Sequence, residues 1–434
     1  MKILFKNARI INPAQKLDEI ADILIVDGKI EKIGKIEENE NFQVYDFTNK
    51  IISPGFIDMH VHLREPGFEH KETIKTGIEA GANGGFTALC CMPNTNPTAD
   101  DPSVIEYVKK KSKEALGGIV DVYPIGAITK RIEGLELAPI AELVEAGAIA
   151  FSDDGNCVQN SSVMRKAFEY ISMFDKAIIQ HCEDKTLSGN GLANEGYWST
   201  ILGLTPYPDI SEEIILYRDL RLLSYLKPKI KKEKYHIAHI SSRGSIELLK
   251  KFKDAGLNIT AEVTPHHLLL TDEDIWKSNY DTNLKVNPPL KSGDDVDALV
   301  EALKDGTIDA IASDHAPHAP EEKESDFASA PFGIIGLETT VGLILSEFVN
   351  KGIITIHKMI ELLSINPRKI LGLEPVKISE GEKANLTLLD PNLEWIVDER
   401  KFKSKSKNSP FIGWKLKGKP LGIINNGKVF WSSL

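Results

Sequence analysis

The chain has 434 residues, of which 42% are hydrophobic and 26% charged, with a formal net charge of -11. That length suits one large barrel-type domain plus a smaller one, or two to three average domains, and the composition is neither that of a disordered nor of a fibrous protein. The acidic balance argues against nucleic acid as a main partner, because phosphate contacts need a positive surface.

The opening residues, MKILFKNARIIN, lack the continuous apolar stretch of a secretory signal, and no window is long and apolar enough for a membrane span, so the expected location is the cytoplasm. From Ala21 to Lys35 apolar and polar residues alternate around Asp27-Gly28, a two-residue hairpin signal. Eight short β-type runs follow: GFIDMHVH, GFTALCCMPN, VDVYPIGAI, AIAFSDDG, AIIQHCED, YHIAHIS, NITAEVTPHH and IDAIASDHAPH. They are separated by helical patterns such as SVMRKAFEYISMF and DVDALVEALKDG, an alternation that predicts βα units and a parallel sheet. The C-terminal part returns to β signals in ANLTLLD and in LGIINNGKVFW, where Asn426-Gly427 repeats the hairpin device. The predicted architecture is an α/β (β/α)8 barrel with a small β-sandwich domain formed from both chain ends: residues 1–53 and 371–434 make the sandwich, 54–370 the barrel. Cys90, Cys91, Cys157 and Cys182 show no C-x-x-C spacing and are expected to be reduced core residues. The basic runs Lys227 to Lys234 and Lys401 to Lys407 are expected to be solvated loops rather than partner contacts.

The polar residues within the strands carry the functional signal. Six runs contain or end in His60 and His62, Asn94, Asp153-Asp154, His181, His239, and Asp314 with His315 and His318. In a barrel these converge on the C-terminal rim, where catalytic groups sit. Residues two apart on a strand point the same way, so His60 and His62 can share a cation. A lone H-x-H arises readily by chance, but His181, His239 and Asp314 extend it to four imidazoles and a carboxylate, a set suited to zinc or a similar divalent ion. A hydrolytic site also needs a base beside the water activated by the ion, and Asp314 lies where the last strand delivers one.

Taken together, PGFIDMHVHLREPG, GGFTALCCMPNTNP, AFSDDG, QHCED, AHISS, VNPPL, SDHAPH, FGIIGLET and SINPRKILGL resemble the dihydroorotases of the amidohydrolase superfamily, in particular the bacterial-type enzymes that work as separate chains. The resemblance implies that His60 and His62 bind the more buried metal position with Asp314, and that His181 and His239 bind a second. Many superfamily members bridge two metals with a carbamylated lysine on the fourth strand. No lysine occurs between Arg131 and Arg165, and Asp154 matches the aspartate that some dihydroorotases have there. One or two zinc ions are therefore both compatible with the pattern. Arg64 is placed to hold the ring carboxylate of dihydroorotate. By resemblance Asn94 and His318 complete that pocket, and Asn287 with the Phe332–Gly333 backbone holds the ring amides. The implied reaction is the reversible cyclisation of N-carbamoyl-L-aspartate to dihydroorotate in pyrimidine biosynthesis, with closure favoured at lower pH.

His266-His267 are expected to position a loop, His236 to be packed on the face opposite His239, and the acidic stretch EEKESDF after His318 to form a loop, mobile over the site or merely solvated. An allantoinase or hydantoinase would share the metal apparatus. A non-catalytic subunit supporting aspartate transcarbamoylase would have lost ligands that are present here. A complex with that enzyme and a homodimer are the partner arrangements considered.

Overall fold

The computed structural model describes residues 2–230 and 232–434, so Lys231, within the first basic run, lies outside it. All eight predicted runs form parallel strands: Phe56–Val61, Phe86–Cys91, Asp121–Pro124 continued by Gly126–Ala127, Ala150–Ser152, Ala177–Gln180, Tyr235–Ile237, Ile259–Val263 and Ala310–Ile311. The third is interrupted at Ile125, whose N–H still reaches the Cys91 carbonyl at 3.0 Å. The barrel closes between the last and first strands, where Val61 bridges His315 and the His62 amide donates to the His315 carbonyl at 2.8 Å. Buried Asp58 fastens this seam, accepting from the amides of Ser313 and His60.

The surrounding helices follow their sequence signals. Ser161–Ile171 starts at Asn160, whose side chain caps the amides of Ser162 and Val163, and it buries Val163, Met164, Ala167, Phe168 and Ile171 as one stripe against the barrel. Ser242 caps Arg243–Asp254, and Pro102 follows the Asp101 cap of Pro102–Glu114. All four cysteines are free and buried.

Both ends of the chain join one eight-stranded sheet, ordered 428–431, 415–425, 386–396, 51–54, 2–12, 17–26 and 29–34, with 43–46 beside 2–12. The sheet curls until Phe5 and Trp431 lie 6.4 Å apart, and Ile3, Phe5, Ile23, Leu386, Leu388 and Ile424 share one core. This is the sandwich part of the predicted architecture. The two hairpins meet at their tips: Asp27, Gly28, Asn426 and Gly427 all have positive φ, and a Cβ on Gly28 would lie 2.5 Å from the Gly427 Cα.

The second basic run departs from expectation. It is not a solvated loop: Ser404, Ser406 and Asn408 are buried against the barrel mouth, while Lys403 and Lys405 point outward. The Lys405 amide donates to Glu72 at 3.0 Å, those of Lys403 and Ser404 to Glu338 at 2.7 and 3.1 Å, and the Ser406 hydroxyl to the Lys71 carbonyl at 2.6 Å. The buried carboxylates of Glu72 and Glu338 need donors, and this segment supplies them.

Candidate metal centre and substrate cavity

Apart from His60, the functional side chains stand just past the ends of the strands, so the rim is built mainly from the first residues beyond each. His60 lies in the first strand and His62 follows it, with ring centroids 5.4 Å apart. His181 is one residue beyond the fifth strand and His239 two beyond the sixth. Arg64, His239 and Asp314 leave their segments with φ of +62°, +30° and +47°, conformations that cost non-glycine residues energy and that cluster at functional sites.

Six side chains converge. His60 Nε2 is 3.4 Å from both Asp154 Oδ1 and Asp314 Oδ1, and His62 Nε2 is 3.2 Å from Asp314 Oδ1. His239 Nε2 is 3.7 Å from Asp154 Oδ1 and 2.9 Å from His181 Nδ1. Three overlapping triads could each hold an ion: His60, His62 and Asp154; His60, His239 and Asp314; Asp154, His181 and His239. His60 Nε2 and Asp154 Oδ1 are buried without a hydrogen-bond partner among the described residues, so the donor set fits a cation between them. Burial opposes the carboxylate charges, yet His60 and its neighbours hold Asp154 and Asp314 well below the usual range. Burial likewise opposes protonation of His60, and the two aspartates still raise it well above the ordinary histidine value. The cluster is therefore one that demands positive charge.

Three of the four imidazoles are gripped from behind, while His239 Nδ1 is buried without a hydrogen-bond partner among the described residues. His60 Nδ1 meets Glu262 Oε1 at 2.8 Å, His62 Nδ1 meets Asn94 Oδ1 at 2.9 Å, and His181 Nε2 meets Glu183 Oε2 at 2.9 Å. Such partners fix ring orientation and tautomer. Glu262 also holds His236 Nε2 at 3.1 Å. His236 and His239 thus belong to the same barrel interior rather than to opposite faces, because the strand stops at Ile237 and alternation no longer applies. His267 bonds Thr264 and the Pro288 carbonyl, at 2.7 and 2.9 Å, and so positions the loop carrying Asn287.

A cavity of about 580 Å³ opens over the cluster. Of the residues predicted for the site, all but His60 and His318 line it; His60 lies deeper, and His318 stands behind Arg64. Burial lowers Arg64 to about 10, against the attraction of Asp314 and Asp154, so it remains a cation at neutral pH. Its Nε donates to the Pro317 carbonyl at 3.1 Å. His318 is turned to the Phe332 carbonyl at 2.8 Å, and burial beside Arg64 lowers it to about 2, leaving it neutral. Asn287 Nδ2 donates to Glu183 Oε2 at 3.1 Å, while the Gly333 N–H is engaged by the Lys285 carbonyl at 2.8 Å. The segment after His318 is packed: Phe327 is buried, and buried Lys323 donates to the carbonyls of Thr282 and Pro331.

Sequence reasoning missed Glu183, Glu262 and Asp58. Glu183 stands two after His181 and Asp58 two before His60, and Glu262 is a lone acid in an apolar strand; each was a readable signal.

The comparisons agree with this geometry. Residues 49–245 match the family model described as dihydro-orotase-like. A dihydroorotase of Chlorobaculum tepidum is 47% identical over 99% of both chains, and one of Caldicellulosiruptor saccharolyticus is 48% identical over 98% of both. Among solved structures, the L-hydantoinase (dihydropyrimidinase) of Arthrobacter aurescens superposes with a TM-score of 0.85 at 26% identity, covering 99% of this chain and 96% of that one. A barrel with a curled β domain and a rim of histidines and aspartates defines a hydrolase of cyclic amide C–N bonds, of the amidohydrolase type. Within that class, the chain belongs to the dihydroorotase family. Among the described residues, no helix is long and apolar enough to cross a membrane.

Proposed function

We propose that the chain is a zinc-dependent dihydroorotase of the cytoplasm, interconverting N-carbamoyl-L-aspartate and (S)-dihydroorotate, with one or two ions held by His60, His62, Asp154, His181, His239 and Asp314. The observation that carries this reading is the meeting of those six side chains at the floor of a cavity whose wall bears a half-buried, charged Arg64. A bound divalent ion supplies Lewis-acid polarisation of the ring carbonyl and makes water nucleophilic near neutrality.

The remaining steps belong to side chains. Asp314 takes the proton of the attacking water and passes it to the departing ring nitrogen, opening the ring. In closure it must start protonated, so lower pH favours that direction. Arg64 receives the ring carboxylate with Asn94 alongside, and His318 supports the guanidinium from behind. Asn287 and the carbonyls of Phe332 and Gly333 face the ring amide groups. A hydantoinase reading draws support from the similarity to the Arthrobacter enzyme. Against it stand Arg64 in the cavity and the absence of a fourth-strand lysine. Every expected ligand position is filled, which disfavours a purely supporting subunit.

His62→Ala and Asp314→Ala, assayed on dihydroorotate, allantoin and hydantoin with metal content measured alongside, test the assignment. Both should lose turnover of dihydroorotate; full activity in either, or wild-type activity on allantoin alone, contradicts it. Size-exclusion chromatography, alone and mixed with aspartate transcarbamoylase, tests for a homodimer and for that complex.

A further inference from the structure

Within this reading, part of the substrate-facing wall and the support of Arg64 come from two adjoining loops, 314–318 and 331–333, and one side chain from a distant part of the chain spans both. Asn408 Nδ2 donates to the Ala316 carbonyl at 3.2 Å and to the Gly333 carbonyl at 3.1 Å. Its Oδ1 accepts from the His318 amide at 3.3 Å, and its own carbonyl accepts from the Ile335 amide at 2.9 Å. The side chain is 5% exposed, so these bonds face little competition from water. Both amide hydrogens and the oxygen are used, which fixes the asparagine in one orientation.

The two loops leave little slack. Gly333 has a φ of +125°, and a Cβ there would lie 2.7 Å from the Ala316 Cβ and 3.2 Å from His318 Nε2. A small shift between the loops would therefore move His318, the Arg64 guanidinium that contacts it at 3.3 Å, and the Phe332–Gly333 wall relative to one another. The segment carrying Asn408 is anchored on Glu72, Glu338 and Lys71, so it forms a fixed reference rather than following the loops.

We infer that Asn408 is a positioning residue for substrate binding: it sets the distance between the carboxylate-holding and amide-holding sides of the cavity, and so matches the site to a small cyclic amide bearing one carboxylate. It acts through His318 and Gly333 and touches none of the six clustered side chains. The inference rests on the dihydroorotase reading.

The test uses the full-length, zinc-loaded protein and steady-state turnover of dihydroorotate. Asn408→Ala should raise KM about tenfold, the effect of one to two lost buried hydrogen bonds, with kcat within about threefold of wild type and metal content unchanged. Asn408→Asp keeps the acceptor for the His318 amide but sets a carboxylate oxygen against the Ala316 and Gly333 carbonyls, and should raise KM at least as far as alanine does. Lys405→Ala, an exposed change in the same segment, should leave KM as it is. Wild-type KM in both Asn408 variants overturns the inference, as does loss of metal and folded protein in both, which would make Asn408 a purely structural residue. If only the alanine variant fails to fold, the KM of the aspartate variant decides. A wild-type enzyme inert toward dihydroorotate overturns the functional reading and this inference with it, whereas an active wild type with unchanged variant KM overturns this inference alone.

Discussion

Glu262→Gln removes one negative charge from beneath the metal centre with almost no change in volume. In the wild type Oε1 accepts from His60 at 2.8 Å and Oε2 from His236 at 3.1 Å. Burial alone would neutralise this acid, but hydrogen bonds from His236 and His60 outweigh it and bring its pKa from 4.5 to about 2. That lowering corresponds to about 3 kcal/mol, and two bonds to a charged acceptor at about 1.5–3 kcal/mol each give the same order. The glutamine can keep the bond to His60 through its oxygen only by turning its amide toward His236, which must then carry its hydrogen on Nδ1, toward Thr260 at 2.8 Å. We expect metal affinity to fall about 10–100-fold, as when a ligand's supporting partner is lost, and chelated protein to lose about 1–3 kcal/mol of unfolding free energy at pH 7. Competition against a chromophoric chelator reads the first quantity and urea unfolding the second. Because the folded pKa is depressed, the charge contribution is present above pH 4.5 and disappears as pH falls toward about 2, so wild type and variant should converge in acid. Unchanged metal affinity, together with stability equal within about 0.5 kcal/mol, would refute the supporting role.

Arg64→Lys keeps the charge but loses the planar fork, and should raise KM for dihydroorotate about 10-fold or more with metal content unchanged; an unaltered KM would remove Arg64 from carboxylate recognition. Glu338, buried between Asn83 and the amides of Lys403 and Ser404, is raised by burial from 4.5 to about 7. The folded protein then holds this proton longer than the unfolded chain does, so the contribution is present below pH 4.5 and lost as pH rises through about 7. The stability difference between wild type and Glu338→Gln should accordingly shift by about 3 kcal/mol against the wild type between pH 4 and pH 8, measured by denaturant unfolding; a pH-independent difference would show that Glu338 does not titrate in this window.

Much of the site was legible because its residues lie where strand patterns end. His60 and His62 close an apolar run, Arg64 follows by two, and Asp154, His181 and Asp314 stand just past their strands, so a barrel reading alone gathers them at one rim. The alternation rule failed at His236, where a strand of only three residues ends at Ile237 and a positive φ turns His239 back inward, so both face the barrel interior. It failed differently at Lys401 to Lys407. Lysine content signals solvent, yet Lys403 and Lys405 are exposed while Ser404 and Ser406 are buried, a period-two pattern of an extended segment lying on a surface. Charge count hid the alternation. Nothing local distinguishes Asn408, because its partners at positions 316, 318 and 333 are brought to it only by the closed fold.

The curled sheet couples the two extremities of the chain across more than three hundred intervening positions, with Leu386 to Leu389 paired to Pro54 through Ile51 and the two hairpin tips in contact. During synthesis from the ribosome, the strand at 51–54 emerges early and must wait, one edge unpaired, until the strand at 386–396 has been made. Because Asn408 lies beyond that strand, its bonds to the loops at 316, 318 and 333 form later than the rim of histidines and aspartates can assemble, so substrate affinity matures after the metal-binding groups are in place.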